Sequence, residues 1–239
     1  MHSPSLFALA GGELATETKF VVSRAAAAEI RQWARQHLTA DAHGTGPDGD
    51  GYRITTLYLD TPNLDVFHRT GSHGRTKYRL RRYADGDVVY LERKVKSQGR
   101  ITKRRTAVPL DELGCLASHQ PRLRWPGYWF HRRVLARQVQ PVCQLSYQRT
   151  ARMAVVDGAT IRLTLDESLS AWAVAEYRFC PDAQGLPLLG DNVILEMKYL
   201  NSIPRLFFDL VSEFRLSPEP ASKYRRAGAL FVPAPESHA

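Results

Sequence analysis

Most of the chain alternates residue by residue between apolar and polar side chains, the period of a strand with one face buried. The pattern predicts strands at 13–22 ("ELATETKFVV"), 52–60 ("YRITTLYLD"), 75–84, 87–96, 101–109, 141–154, 159–168, about 172–180 and 192–199. Turn signals join neighbours: "ADGD" and "SQGR" separate the third, fourth and fifth strands, and "DG" joins 141–154 to 159–168. A 3.6-residue period replaces this alternation in a few places. Ser23 caps an Ala-rich helix, "RAAAAEIRQWARQHL", whose Ile30, Ala34 and Leu38 form one stripe. Further helices are predicted in "LDVFHR", "DELGCLASH", "GYWFHRRVLARQV", "IPRLFFDLVSEF" and "ASKYRRAGALF". Hairpin-linked strands outnumber helices, so the expected core is an antiparallel sheet, strongly curved or closed, with helices packed outside.

Sorting each strand into faces reveals an imbalance. Arg75, Lys77, Arg79 and Arg81 share a face, against Tyr78 and Leu80. Tyr90, Glu92, Lys94 and Lys96 oppose Val89, Leu91, Arg93 and Val95. Lys103 pairs in direction with Arg105, Glu17 with Lys19, Tyr147 with Arg149, Arg162 with Thr164 and Asp166, and Glu196 with Lys198. A half-buried sheet has a wet face in any case. This wet face, however, is dominated by cations, and like charges directly opposite one another destabilise a sheet. An anionic ligand would compensate them.

Composition agrees. The 239 residues carry a formal net charge of +9, with a pI near 9.7, which favours an anionic partner. Apolar residues make up 44% of the chain, enough for a real core. Cys115, Cys143 and Cys180 are scattered, with no CxxC spacing, and read as reduced thiols rather than a disulfide framework or zinc site. His68, His73, His119 and His131 show no ligand spacing. The N-terminus lacks the basic segment of a signal peptide, and no apolar run approaches the roughly 20 residues that span a bilayer. The expectation is a cytoplasmic protein with one domain over 13–232 and flexible termini at 1–12 and 233–239.

Two architectures satisfy the face pattern. An open sheet could present the cations to nucleic acid. A closed sheet would turn them into a polar lumen, with helices on the apolar exterior. The closed form fits better, because the helices need the apolar face and only Tyr90 and Tyr147 offer stacking surfaces on the charged one. No nucleic-acid partner is expected.

The order of motifs then becomes informative. "ETKF", "YRITTLYLDTPNLDVF", "KYRLRRY", "YLERKVKSQGRITKRR", "SYQRTA", "RLTLDESL", "ILEMKY" and "SKYRRA" follow one another through residues 17–228. This succession resembles the VTC domain, the polyphosphate polymerase branch of the CYTH-like triphosphate tunnel metalloenzymes. The resemblance implies an α+β fold: a closed, eight-stranded antiparallel β-tunnel with helices outside. It implies transfer of the γ-phosphate of ATP onto inorganic polyphosphate with Mn²⁺ or Mg²⁺ as cofactor. Hydrolysis of tripolyphosphate, or non-catalytic binding of polyphosphate or inositol phosphates, are the alternatives.

Matched residue by residue, the resemblance places Lys19, Arg79, Arg81, Lys94, Lys103, Arg149, Lys198 and Lys223 among the catalytic cations. Lys77, Arg105, Tyr147, Arg162 and Ser222 become substrate contacts. Glu196 becomes the metal ligand, with Glu17 and Asp166 as candidates for a second carboxylate. Three plainer readings stand beside these: Glu92 as ion-pair partner of Lys94, Asp166 as partner of Arg162, and Tyr147 as core packing. Two departures are visible. The first strand lacks the Glu-x-Glu-x-Lys run of the cyclase and thiamine triphosphatase branch, and Pro220 stands where the polymerases often carry a lysine. A membrane-protein partner is left open.

Overall fold

The computed structural model describes residues 15–45, 48–71, 74–97, 100–180 and 185–231. The two termini, residues 13–14 of the first strand, His73 and the middle of the "SQGR" turn lie outside these. In chain order the elements are β1 (Ala15–Val22), α1 (Arg24–His37), β2 (Thr39–Ala40), β3 (Gly51–Asp60), α2 (Asp65–His68), β4 (Thr76–Tyr83), β5 (Val88–Ser97) and β6 (Arg100–Pro109). A 3₁₀ helix (Leu110–Ala117) follows, then α3 (Tyr128–Arg137), β7 (Gln140–Val156), β8 (Ala159–Ala173), β9 (Leu186–Pro187), β10 (Val193–Leu200), α4 (Arg205–Glu213) and α5 (Lys223–Gly228).

The strands form one antiparallel sheet in the order β1-β10-β8-β7-β3-β4-β5-β6, with short β2 on β7 and β9 on β8. Local chemistry explains several joints. Asp157 and Gly158 both take positive φ (51° and 75°), the geometry of a two-residue hairpin turn, and this fixes the β7–β8 register. Ser23 Oγ accepts the Ala26 N–H at 3.2 Å and starts α1, as its position before the Ala-rich run predicts.

The apolar outer face is covered in two patches. Ile30, Trp33 and Ala34 of α1, with Phe207 and Leu210 of α4, pack on Phe20, Leu163, Leu165, Leu195 and Met197. The 3₁₀ helix and α3 bring Leu113, Leu116, Phe130 and Val134 onto Leu57, Tyr78, Leu80 and Leu91. Ile30 is fully buried, and truncating it to Ala would cost about 2–5 kcal/mol.

Three expectations are corrected. First, the sheet is not a closed barrel: β1 and β6 remain two edges. The sheet curls until Glu17 of β1 meets Lys94 of β5 at 3.4 Å, so side chains rather than backbone bridge the seam. Alternation encodes which side chains share a face, but closure depends on strand stagger, which alternation does not encode. Second, not every helix lies outside. Tyr224 and Ala227 of α5, with Val66 of α2, pack among Tyr52, Tyr58, Leu145, Tyr147 and Ile194 on the concave side. Third, no strand occupies 174–180. The segment is a loop tied down by Gln144, whose Oε1 accepts the Cys180 N–H at 2.8 Å while its Nε2 donates to the Cys180 carbonyl at 3.1 Å.

Candidate functional site

The concave face carries the cations. Lys77, Arg79 and Arg81 rise from β4, Lys94 from β5, Lys103 and Arg105 from β6, Arg149 from β7, Lys198 from β10 and Lys19 from β1. Lys223 joins them from the first residue of α5. Register holds the set together: Arg79, Glu92 and Arg105 lie side by side across β4, β5 and β6, and Lys77, Lys94 and Lys103 do so one step further along. Four carboxylates, Glu17, Glu92, Asp166 and Glu196, interleave with these ten cations. These fourteen groups leave an excess of six formal positive charges, and Arg162 on the same face is balanced by Asp41.

Glu92 is fully buried and serves as the anchor of one wall. It binds Arg79 Nε at 2.6 Å, Lys103 Nζ at 2.7 Å and Arg105 Nε at 3.4 Å. Burial pushes its carboxyl up, but Arg79, Arg81 and Lys103 outweigh that and hold it below the usual carboxylate range. Its partner is thus not Lys94, which reaches Glu17 instead. Arg79, Lys103 and Arg105 from the two flanking strands already fill Glu92, and the curl of the sheet brings Glu17 within reach of Lys94.

The opposite wall holds a second cluster. Lys19 Nζ sits 2.7 Å from Glu17 and 3.4 Å from Glu196, and Lys198 Nζ sits 2.8 Å from Glu196 and 3.7 Å from Glu17. Burial and the neighbouring Glu196 push Glu17 up, yet Lys198, Lys19 and Lys94 bring it down to about 2. Burial likewise pushes Glu196 up, and Lys198, Lys19 and Lys223 hold it well below the usual range. Both therefore stay ionised near neutral pH. Two adjacent carboxylates, with cationic neighbours that phosphate can draw away, suit a divalent ion taking its remaining ligands from phosphate and water. Among the described residues no three His, Cys, Asp or Glu side chains converge, so an all-protein cage is not built here.

Asp166 does not fit that role. Arg149 grips it with a fork, Nε to Oδ1 at 2.6 Å and Nη2 to Oδ2 at 2.7 Å, and Lys223 Nζ lies 2.5 Å from Oδ2. Nor is Asp166 the partner of Arg162, which binds Asp41 at 2.5 Å and the Tyr52 hydroxyl at 2.9 Å. Tyr147 is buried, with Arg149 and Lys223 lying 5.5 and 5.3 Å from its ring centroid. Ser222 caps α5 and accepts a hydrogen bond from Lys77 Nζ at 3.2 Å.

Lys77 and Arg81 contact no carboxylate among the described residues. Burial lowers Lys77 to about 8, helped by Lys19, Lys94 and Arg79. Arg81 is 7% exposed; its Nε reaches the Thr56 hydroxyl at 3.3 Å, and its guanidinium also hydrogen-bonds the Tyr83 hydroxyl. Lys103 also falls to about 8, through burial and Arg79 against the opposing pull of Glu92. These are the groups with most to gain from a bound anion.

Several participants were not singled out from the sequence. Tyr52, Tyr58 and Tyr83 stand on the concave face beside Tyr90 and Tyr147, so that face is richer in aromatics than expected. Burial pushes the Tyr83 hydroxyl up, but Arg81 and Arg105 outweigh it and lower it to about 8. Asp60, at the end of β3, accepts the Val66 and Phe67 N–H groups at 2.9 Å and the Tyr224 hydroxyl at 2.5 Å. It thereby ties α2 and α5 to the sheet and positions Ser222 and Lys223. The buried "LD" ending a strand before "TPN" was the available signal.

The curled antiparallel sheet that carries these cations has a fold shared with solved structures of other proteins. The chain belongs to the VTC domain family, which it matches over residues 14–232. Similar solved structures include a candidate adenylate cyclase from Bacillus halodurans, 13% identical, with a TM-score of 0.52 over 88% of this chain and 93% of that one. Another, from Hippeastrum, is a candidate adenylyl cyclase with a dominant triphosphatase activity; it is 14% identical, with a TM-score of 0.51 over 93% of this chain and 99% of that one. At these identities the likeness establishes the fold. No curated protein matches the chain. Among the described residues no helix is long and apolar enough to cross a membrane.

Proposed function

We propose that the protein is a metal-dependent polyphosphate polymerase that moves the γ-phosphate of ATP onto the end of an inorganic polyphosphate chain. The observation that carries this reading is the excess of six positive charges on one concave face, with Lys77 and Arg81 left without carboxylate partners. Phosphoryl transfer asks little covalent help of a protein; it needs in-line oxygens and neutralised equatorial charge. Arg79, Arg81 and Arg149 offer planar forks for two phosphate oxygens each, while Lys19, Lys94, Lys103 and Lys198 act as point charges.

In the proposed step a terminal phosphate oxygen of the chain attacks the γ-phosphorus, and the bond to the β–γ bridging oxygen breaks. The bonding pair leaves on ADP. The attacking phosphate is already ionised at neutral pH, so the protein need supply no general base. Glu196 and Glu17 would hold Mn²⁺ or Mg²⁺, which when bound neutralises phosphate charge as a Lewis acid. Arg162, held by Asp41 and Tyr52, supports the wall rather than the substrate.

Incubation with ATP and Mn²⁺, followed by gel electrophoresis, tests the reading: a ladder of long chains is expected, and phosphate release without chains rejects polymerisation. One observation favours the hydrolytic alternative. Pro220 replaces a cation common in the polymerases, leaving one contact fewer for an acceptor chain.

A further inference from the structure

A second basic surface lies on the outside of the same wall. Between Glu112 and Asp157 the sequence holds no acidic residue. Within that stretch Arg122, Arg124, Arg132 and Arg133 are exposed. Arg132 and Arg133 follow Trp129 by three and four residues on α3, so all three share one helix face. Trp129 carries the Arg104 guanidinium 4.2 Å above its ring and donates its indole N–H to Thr106 at 2.7 Å, which fixes this face against β6. Arg104 stands directly opposite Arg93 in the β5–β6 register. Like charges so placed repel. Arg93 Nε is shielded from solvent and has no hydrogen-bond partner, and none of these six arginines forms a salt bridge among the described residues.

We infer that this arginine ridge binds the outlying part of a long inorganic polyphosphate whose end lies in the cleft. The inference rests on the proposed occupancy of the cleft by phosphate chains. Position argues for it. β6 is an open edge, and Arg104 on its outer face lies between Lys103 and Arg105 on its inner face. Cations therefore run from the cleft over the edge and onto α3, and Glu112 beside them accepts the Trp125 indole N–H at 2.7 Å and pairs with no arginine among the described residues. A triphosphate is too short to touch both faces of a strand; a chain of tens of phosphates is not. Nucleic acid fits less well, because Arg104 covers the ring that bases would stack on. A bilayer fits less well, because Leu123 is the one large apolar side chain exposed within this stretch outside the strands.

The test compares tripolyphosphate with polyphosphate of roughly sixty units, binding each to the intact protein at fixed moderate salt. The ridge variant is Arg104→Gln/Arg132→Gln/Arg133→Gln. The control, Arg24→Gln/Arg178→Gln/Arg205→Gln, removes the same charge from exposed, acid-paired sites elsewhere. The ridge variant should lose long-chain affinity by about tenfold or more and the salt dependence should flatten, while tripolyphosphate affinity holds within about twofold. Unchanged long-chain binding overturns the inference. So does an equal loss in the control, a parallel loss of tripolyphosphate, or a ridge effect seen only on phosphatidylserine vesicles or RNA. If melting shows the triple variant misfolded, the Arg132→Gln/Arg133→Gln pair, wholly on the surface, decides between the same outcomes. Arg81→Gln separates the two proposals: if it leaves tripolyphosphate binding intact, the reading of the cleft fails, whatever the ridge does.

Discussion

Replacing Glu92 with Gln probes the electrostatic logic of the cleft most directly. The substitution keeps shape and one acceptor oxygen but removes the charge that holds Arg79, Lys103 and Arg105 and that faces Arg81. Removing one member of a buried ion cluster costs about 3–5 kcal/mol. Lys103 and Arg105 are 42% and 30% exposed, and both can rehydrate, which puts the expected loss near the lower end, about 3 kcal/mol. For a chain of this length each kcal/mol moves the melting temperature by about 2–4 °C, so a fall of roughly 6–12 °C is expected. Tripolyphosphate should then reverse it. A ligand at a hundred times its dissociation constant stabilises by about 2.7 kcal/mol, nearly the amount lost. The variant's cleft has one more net positive charge, and its added attraction for a ligand of several negative charges should outweigh the ordering cost of about 0.5–1.5 kcal/mol per freed side chain, so its gain should exceed that of the parent protein. Thermal denaturation with and without tripolyphosphate, at fixed salt, reads both effects. A variant that melts with the parent, or one that is destabilised but gains no more from tripolyphosphate than the parent does, would refute the reasoning.

Further outcomes are expected. Glu196→Gln should abolish turnover with Mn²⁺ while leaving tripolyphosphate binding within a few-fold, checked by the activity gel beside calorimetry. Asp60→Asn leaves a buried site short of the charge that caps α2 and holds Tyr224, so it should cost about 2–4 kcal/mol and open residues 221–231 to protease before global unfolding. Lys77 and Lys103 have folded-state pKa values lowered to about 8, below their ordinary 10.5. Between those values the unfolded chain binds more protons, so stability of the ligand-free protein should rise with pH across the window. Over the same window bound polyanion should favour the charged lysines, so calorimetry in buffers of different ionisation heat, near pH 9, should detect uptake of up to about two protons on binding. No uptake there would mean that neither lysine faces the anion.

Much of this was legible before any coordinates, and the reason is geometric. A strand's period of two maps sequence directly onto faces, so Arg79, Arg81, Lys94, Lys103, Arg149 and Glu196 could be assigned to one surface by counting. Counting fails where the period breaks. In β8, Ser168 takes φ 51° opposite Tyr147, a bulge that lets both Asp166 and Leu169 face inward. It also fails for partners. Glu17 meets Lys94 across 77 residues because the sheet curls, and Arg162 finds Asp41 in a loop; neither curvature nor loop path is written in alternation. The segment at 174–180 alternates plausibly, but among the described residues no strand pairs with it. Arg93 alternates with the apolar residues of its strand, and only the β5–β6 register shows that it shares the outer face with Arg104.

The buried carboxylates raise a question that charge counting alone leaves open: why a cleft meant for anions should contain anions of its own. Ordering a long side chain on binding costs about 0.5–1.5 kcal/mol. Glu92 holds Arg79, Lys103 and Arg105 in place beforehand, which removes roughly 1.5–4.5 kcal/mol of that cost for the three. Because one carboxylate serves three cations, each keeps most of its attraction for phosphate, whereas a one-to-one pairing would cancel it. Glu17 and Glu196 repeat the device with Lys19, Lys94 and Lys198, but with two carboxylates against three cations. That wall is nearly neutral, so it attracts phosphate less strongly and a divalent ion more strongly. The two walls thus divide the work by their ratio of carboxylates to cations. Reversing the ratio should reverse the preference: Glu17→Gln should tighten tripolyphosphate in the absence of metal and weaken Mn²⁺ binding. The opposite result would mean that Glu17 acts on the lysines alone.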